Sequence, residues 1–218
     1  MRKQSLCESH RPQKWGEVVG QDSAITALRT LAKRGLAGRA YWISGISGSG
    51  KTTIARLLAA EIAEPIAVTE LDAGALTVPV LKDLEGSMRL WGWGEKGGKA
   101  YIVNEAHGLP AAIVRQLLVM LERLPQHVMF IFTTTALGQK KLFSNIDAGP
   151  LLSRCYCIEL TANGLEGPFA EHVKTVAKAE GLDSAPVSAY LRLAQRCKCN
   201  MRAMFQAVEC GEMVAAKA

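Results

Sequence analysis

Apolar and polar positions alternate between two periods along the chain. Short apolar runs read as strands at Tyr41-Trp42-Ile43, from Ala100 to Asn104, from Val128 to Thr133 and from Cys155 to Leu160, with a weaker, partly alternating one from Ile66 to Leu71 after Pro65. Between them lie segments with helical spacing. In residues 21–35, Ile25, Leu28, Leu31 and Ala32 share a face, Asp22 or Ser23 can cap the start, and Gly35 ends the run. An apolar-periodic segment starts at Thr53, another runs from about Pro79 to Trp91, and a third from Pro110 to Arg123 keeps Ile113, Leu117, Met120, Leu121 and Leu124 on one side. Strands alternating with helices predict an α/β fold, a mostly parallel sheet covered by helices on both faces.

From Thr161 onward the period is helical alone. Segments near 165–180, 185–197 and 200–215 are separated by Gly181-Leu182-Asp183 and by Lys198-Cys199. The division expected is therefore an α/β domain over residues 1–160 and a small three-helix domain over 161–218. Residues 1–20 are polar and basic, and Arg11-Pro12 and Trp15-Gly16 argue against a helix there. The glycine-rich stretch 92–98 reads as a loop, with Trp91 and Trp93 expected to pack against the domain rather than to stack on a base. Residues 136–150 read as a polar connection.

Composition narrows the class without choosing it. The 218 residues carry 26 Lys and Arg against 20 Asp and Glu, a net charge of +6 that permits a polyanionic partner without requiring one. Six cysteines include two Cys-x-Cys pairs, Cys155/Cys157 and Cys197/Cys199, closer than zinc-ribbon spacing allows. Residues 1–14 have no secretory pattern, and no apolar run reaches the length of a membrane span. The expectation is a cytoplasmic protein with reduced thiols and no membrane partner.

The chemistry is concentrated after the first strand. Gly45-Ile46-Ser47-Gly48-Ser49-Gly50-Lys51-Thr52 matches G-x-x-x-x-G-K-[ST], with a strand before it and a helix from Thr53 after it. The glycines let the backbone turn tightly and aim N–H groups at phosphate oxygens, Lys51 offers an ammonium to the β- and γ-phosphates, and the Thr52 hydroxyl can hold Mg2+. ATP with Mg2+ is the implied cofactor pair. Hydrolysis would also need acidic groups at the end of a neighbouring strand, where Asn104-Glu105-Ala106-His107 stands. Glu105 is the candidate base. Asn104 occupies the position that usually carries Asp, and can reach the metal through a water but brings no negative charge.

These residues carry a resemblance. His10-Arg11-Pro12, Val18-Val19-Gly20-Gln21, the phosphate loop, Asn104-Glu105-Ala106-His107, Thr134-Thr135, Ser153-Arg154-Cys155 and Asn200-Met201-Arg202 together resemble the AAA+ ATPases of sliding-clamp loaders, the DNA polymerase III gamma/tau subunit and the small subunits of replication factor C. The likeness implies that Arg11, Pro12, Val19 and Gln21 lie beside the adenine. It implies that Thr135 or Thr134 senses the γ-phosphate, that Arg154 reaches the nucleotide of a neighbouring subunit, and that Arg202 couples a helical lid to the phosphates. Other AAA+ subunits, a sliding clamp and primed double-stranded DNA are the implied partners, with Lys82, Arg89, Arg115, Lys140 and Lys141 as candidate phosphate contacts.

The departures are specific. The zinc insertion of the gamma/tau subunit is missing, because Glu64-Pro65 runs directly to the next strand, and the connection 138–150 is long. The collar domain of such subunits is not within the 218 residues, so a shortened chain or a different mode of assembly is expected. Three functions remain open on the sequence: an ATP-hydrolysing clamp-loader-type subunit in DNA replication, a slow or non-hydrolysing nucleotide-binding interaction module, and another AAA+ activity such as a helicase loader or a recombination-linked ATPase.

Overall fold

The computed structural model describes residues 4–135 and 149–214. Five strands, β1 (Arg39–Ser44), β2 (Val68–Asp72), β3 (Lys99–Asn104), β4 (Val128–Thr134) and β5 (Cys155–Glu159), form one sheet in the order β2-β3-β4-β1-β5, with every adjacent pair parallel. The three inner strands are the ones with unbroken apolar runs. Tyr41, Ile43, Ile102, Val103 and all of β4 are buried, because both faces of these strands are covered, and the buried polar residues Thr133 and Thr134 stand at the end of β4 with hydrogen-bond partners.

The helices in chain order are α1 (Leu6–Ser9), α2 (Asp22–Ala32), α3 (Lys51–Ile62), α4 (Val78–Met88), α5 (Ala111–Glu122), α6 (Gly149–Leu152), α7 (Glu166–Ala179), α8 (Val187–Arg196) and α9 (Met201–Glu209). Their buried residues fall at helical spacing. Ile113, Val114, Leu117 and Met120 of α5 and Leu81, Leu84 and Met88 of α4 join Trp42, Tyr101, Phe130 and Phe132 in one core. Beneath the helices, Tyr101, Phe130 and Phe132 stack in sequence across β3 and β4, with centroids 5.0 and 5.9 Å apart.

The chain divides into two compact units: Ser23–Gly45 with Lys51–Leu160, and Met1–Asp22 with Ile46–Gly50 and Thr161–Ala218. A boundary falls at 160/161, where the sequence put one, but residues 1–22 and 46–50 had been expected in the α/β domain. Residues 1–22 group with the helical unit, and the reason is packing. Leu6, on the unexpected helix α1, is buried among Phe169, Val173, Tyr190, Phe205 and Val208, and its N–H donates to Glu209 Oε1 at 2.7 Å. Leu6 and Cys7 form an isolated apolar pair in a polar stretch and give no period to read.

Trp91 and Trp93 also depart from expectation. They are 68% and 80% exposed, and Trp91 stacks on His127 with ring centroids 4.4 Å apart. The short β2 begins at Val68 behind a 3-10 turn at Pro65–Ala67, leaving Ile66 83% exposed. Residues 149–150, expected in a loop, begin α6. Lys140, Lys141 and most of the long connection lie outside the described residues. No helix among the described residues is long and apolar enough to cross a membrane.

Candidate functional site

The phosphate loop follows β1 and gives way to α3, the order its sequence requires. At the base of the loop the Gly45 N–H donates to Thr134 O at 3.2 Å, which ties the end of β1 to the end of β4. Lys51, the first residue of α3, is 7% exposed, and its ammonium donates to Gly45 O at 3.0 Å. That contact curls the side chain over its own loop. Gly48 and Gly50 have φ of +73° and +98°, a region that costs other residues about 1–2 kcal/mol. A Cβ at Gly50 would meet only open space.

Sheet register sets what faces Thr52. Asn104 ends β3 opposite Asp72, two residues beyond Glu70, so Glu70 and Asn104 are diagonal neighbours on one face. Asn104 Oδ1 accepts from Thr52 Oγ1 at 3.4 Å and from Thr133 Oγ1 at 2.9 Å, while its Nδ2 donates to Glu70 Oε1 at 2.7 Å. Glu70 is in turn paired with Arg56, one turn of α3 beyond Thr52, at 2.7 and 3.2 Å. Sequence reasoning found Thr52 and Asn104 but not Thr133, Glu70 or Arg56.

The carboxylate of Glu105 lies next along the chain. Its φ of 51° and ψ of 45° put a non-glycine residue in left-handed backbone immediately after a strand, the kind of strain that concentrates at functional positions. Thr135 Oγ1 donates to Glu105 Oε2 at 3.4 Å, and His107 Nδ1 lies 3.3 Å from the same oxygen. Thr134 is fully buried, with Oγ1 3.4 Å from His107 Nδ1. The structure thus brings Glu105, Thr134 and Thr135 together and adds His107, a ligand-type residue that the sequence reading passed over.

Arg154 precedes β5 and bonds within its own chain, to Glu122 and, at 2.8 Å, to Pro150 O. The pair with Glu122 is solvent-exposed, so it is worth at most about 1 kcal/mol. Lys82 and Arg89 on and beside α4 and Arg115 on α5 are exposed.

In the helical unit, the tip of the loop is held by backbone and amide contacts. Gln21 is 2% exposed. Its Nε2 donates to Thr161 O at 2.9 Å and Ser49 O at 3.4 Å, and its Oε1 accepts from the Thr161 N–H at 3.2 Å. The amide that the resemblance assigns to adenine is thus engaged in tying 21, 49 and 161 together. Arg11 pairs with Glu8, and Val19 packs against the helical core. Asn200 caps α9 through the Ala203 N–H at 3.2 Å and lies against Gly48, whose carbonyl accepts from the Met201 N–H at 3.3 Å. Arg202, in the first turn of α9, is exposed.

Nucleotide and metal fit the residues present. Ser49 Oγ is buried and has no hydrogen-bond partner among the described residues, Gly50 leaves open space, and the first turn of α3 directs N–H groups outward from a helix N-terminus. Thr52 Oγ1 and Asn104 Oδ1 are hard oxygen donors on the same side, suited to a magnesium ion that takes its remaining ligands from phosphate and water. No cluster of three His, Cys, Asp or Glu able to hold a metal occurs among the described residues.

No family model matches the chain. It is similar to the DNA polymerase III tau subunit of Escherichia coli, 33% identical over 189 residues that cover 76% of this chain and 28% of that protein. It is similar to the gamma subunit of Buchnera aphidicola, 28% identical over 209 residues covering 84% of this chain and 55% of the relative, and to the gamma/tau subunit of Mycobacterium tuberculosis, 31% identical over 159 residues, 60% and 27%. The chain therefore spans between about a quarter and just over half of the relatives it matches. Among solved structures, the Thermotoga maritima RuvB Holliday junction branch migration motor superposes with a TM-score of 0.67 at 21% identity, over 91% of this chain and 64% of that one. At that identity it speaks for the fold alone. Sequence relatives, loop geometry and sheet order agree: the chain belongs to the AAA+ clamp-loader family.

Proposed function

We propose that this chain is an ATP-binding, clamp-loader-type AAA+ subunit that couples ATP binding and hydrolysis to placing a sliding clamp on primed DNA in the cytoplasm. The observation that carries the reading is the loop after β1, with Lys51 buried over Gly45 and the orphaned Ser49 hydroxyl at its tip. In this reading Gly45 to Thr53 bind the phosphates, and Thr52 with Asn104 holds Mg2+, which offsets phosphate charge when bound. Glu105, steadied by Thr135 and His107, takes a proton from the attacking water. On the family resemblance, Arg11, Pro12, Val19 and Gln21 are assigned to the adenine side, Thr134 and Thr135 to sensing, and Arg154 and Arg202 to the γ-phosphate. Arg154 would exchange Glu122 for the phosphates of a neighbouring subunit, at small cost because the pair is exposed. Other AAA+ subunits, a sliding clamp and primed DNA are the proposed partners.

A second reading, a slow or non-hydrolysing nucleotide-binding module, is favoured by one observation: an amide stands at position 104 where a carboxylate would offset the metal's charge. The two share their first test. Calorimetry should show ATP binding with Mg2+ that Lys51→Ala abolishes, and no affinity in the unaltered chain would end both readings. Steady-state phosphate release with clamp and primed DNA separates them, because turnover supports the first and binding without turnover the second.

A further inference from the structure

Four side chains from three elements close a ring on the face of the sheet under α3. Thr52 and Arg56 lie one helical turn apart on α3, Asn104 and Glu70 lie diagonally on β3 and β2, and each helix residue meets one strand residue: Thr52 with Asn104 at 3.4 Å, Arg56 with Glu70 at 2.7 Å. The ring is closed by Asn104 Nδ2 donating to Glu70 Oε1 at 2.7 Å. An ionised carboxylate has no proton to give, so the atom of Asn104 that faces it must be the NH2. Oδ1 is then forced toward the hydroxyls of Thr52 and Thr133. Were Glu70 replaced by a group that both donates and accepts, either orientation of the Asn104 amide would be satisfied.

From this geometry we infer that Glu70 is a positioning residue for the magnesium-bound nucleotide. It fixes the Asn104 oxygen on the side of Thr52, and it supplies beside the site the carboxylate that position 104 lacks. The inference rests on the nucleotide reading given above. It explains why an amide is suited to this position in this chain: a carboxylate at 104 would stand against Glu70 at the separation now occupied by a hydrogen bond, and two like charges there repel. Arg56 holds Glu70 in place with two bonds and stands 45% exposed, so the outer side of the ring faces solvent. Restoring the usual residue alone is therefore predicted to harm the site, whereas exchanging amide and carboxylate between the two positions should preserve it.

The test uses the full chain, with ATP titrated in magnesium and in EDTA, and apo thermal unfolding as an independent readout. Glu70→Gln should leave affinity in EDTA within about twofold and lower the magnesium-dependent gain about tenfold, the usual scale for losing a group that orients a metal ligand. Asn104→Asp should lower the apo melting temperature, and Asn104→Asp combined with Glu70→Gln should recover most of that loss and of the magnesium gain. If the unaltered chain shows a magnesium gain that Glu70→Gln leaves intact, and the apo melting shifts of the two substitutions simply add, the role of Glu70 is refuted while the nucleotide reading stands. If the unaltered chain binds no ATP, the nucleotide reading fails and this inference with it.

Discussion

A methyl group added at Gly48 probes the phosphate loop without touching a charged residue. Its Cβ would stand 1.9 Å from Asn200 Oδ1 and 2.6 Å from Asn200 Cγ, where real Cβ contacts stay beyond 3.0 Å, and Gly48 has φ of +73°. Two costs follow for Gly48→Ala. Left-handed backbone with a side chain costs about 1–2 kcal/mol. Pushing Asn200 aside breaks its bond to the Ala203 N–H and uncaps α9, about 1 kcal/mol more. The sum is roughly 2–3 kcal/mol. Asn200→Ala alone loses only the cap, about 1 kcal/mol. In the double variant the cap is already absent and the nearest obstacle is Asn200 Cα at 3.0 Å, so only the backbone strain is added. The cycle should therefore show a coupling of about 1 kcal/mol, with the double variant more stable than the two losses predict. Urea unfolding followed by circular dichroism, on all four proteins, measures it. Losses that add within about 0.3–0.5 kcal/mol would refute the contact between the loop tip and the start of α9.

Two further expectations concern separate parts of the chain. Asp183 accepts from Lys174 Nζ at 2.7 Å, the Ala185 N–H at 3.1 Å and the buried Tyr190 hydroxyl at 3.1 Å, and the Lys174 bond leads in holding its carboxyl below the usual range. A depressed folded-state pKa gives stability that is present above the unfolded value near 4 and is lost as pH falls through the folded one. Asp183→Asn should thus cost about 2 kcal/mol at neutral pH and flatten the acid limb below pH ~4 in melting curves taken across pH, and an unchanged acid limb would contradict the assignment. Glu105→Gly relieves left-handed strain at φ 51° and should stabilise the apo protein by up to about 1 kcal/mol while abolishing phosphate release; a less stable variant would refute the strain, and a still active one would remove Glu105 from its proposed role.

Periodicity carried most of this fold because the inner strands are buried on both faces and are mostly apolar, so β1, β3 and β4 stand out as apolar runs. The phosphate loop was legible for a different reason, since its glycines and Lys51 are fixed by local geometry. What escaped depends on strand order. Glu70 lies on a short edge strand between Thr69 and Leu71 and looks like any solvated charge until β2 is known to pair with β3 in a register that sets it diagonal to Asn104. Thr133 was overlooked beside Thr134 and Thr135 because a run of three threonines does not say which faces β3. Trp91 and Trp93 carry no period that says how deeply they pack, and Trp91, stacked on His127, stays largely exposed.

Leu6, which precedes every strand of the sheet, and Val208, which follows them all, belong to the same apolar cluster. A ribosome makes the first long before the second. The segment around Leu6 must therefore wait, exposed, through the synthesis of the whole sheet before its packing partners arrive, and the helical unit can close only after the last strand has been made.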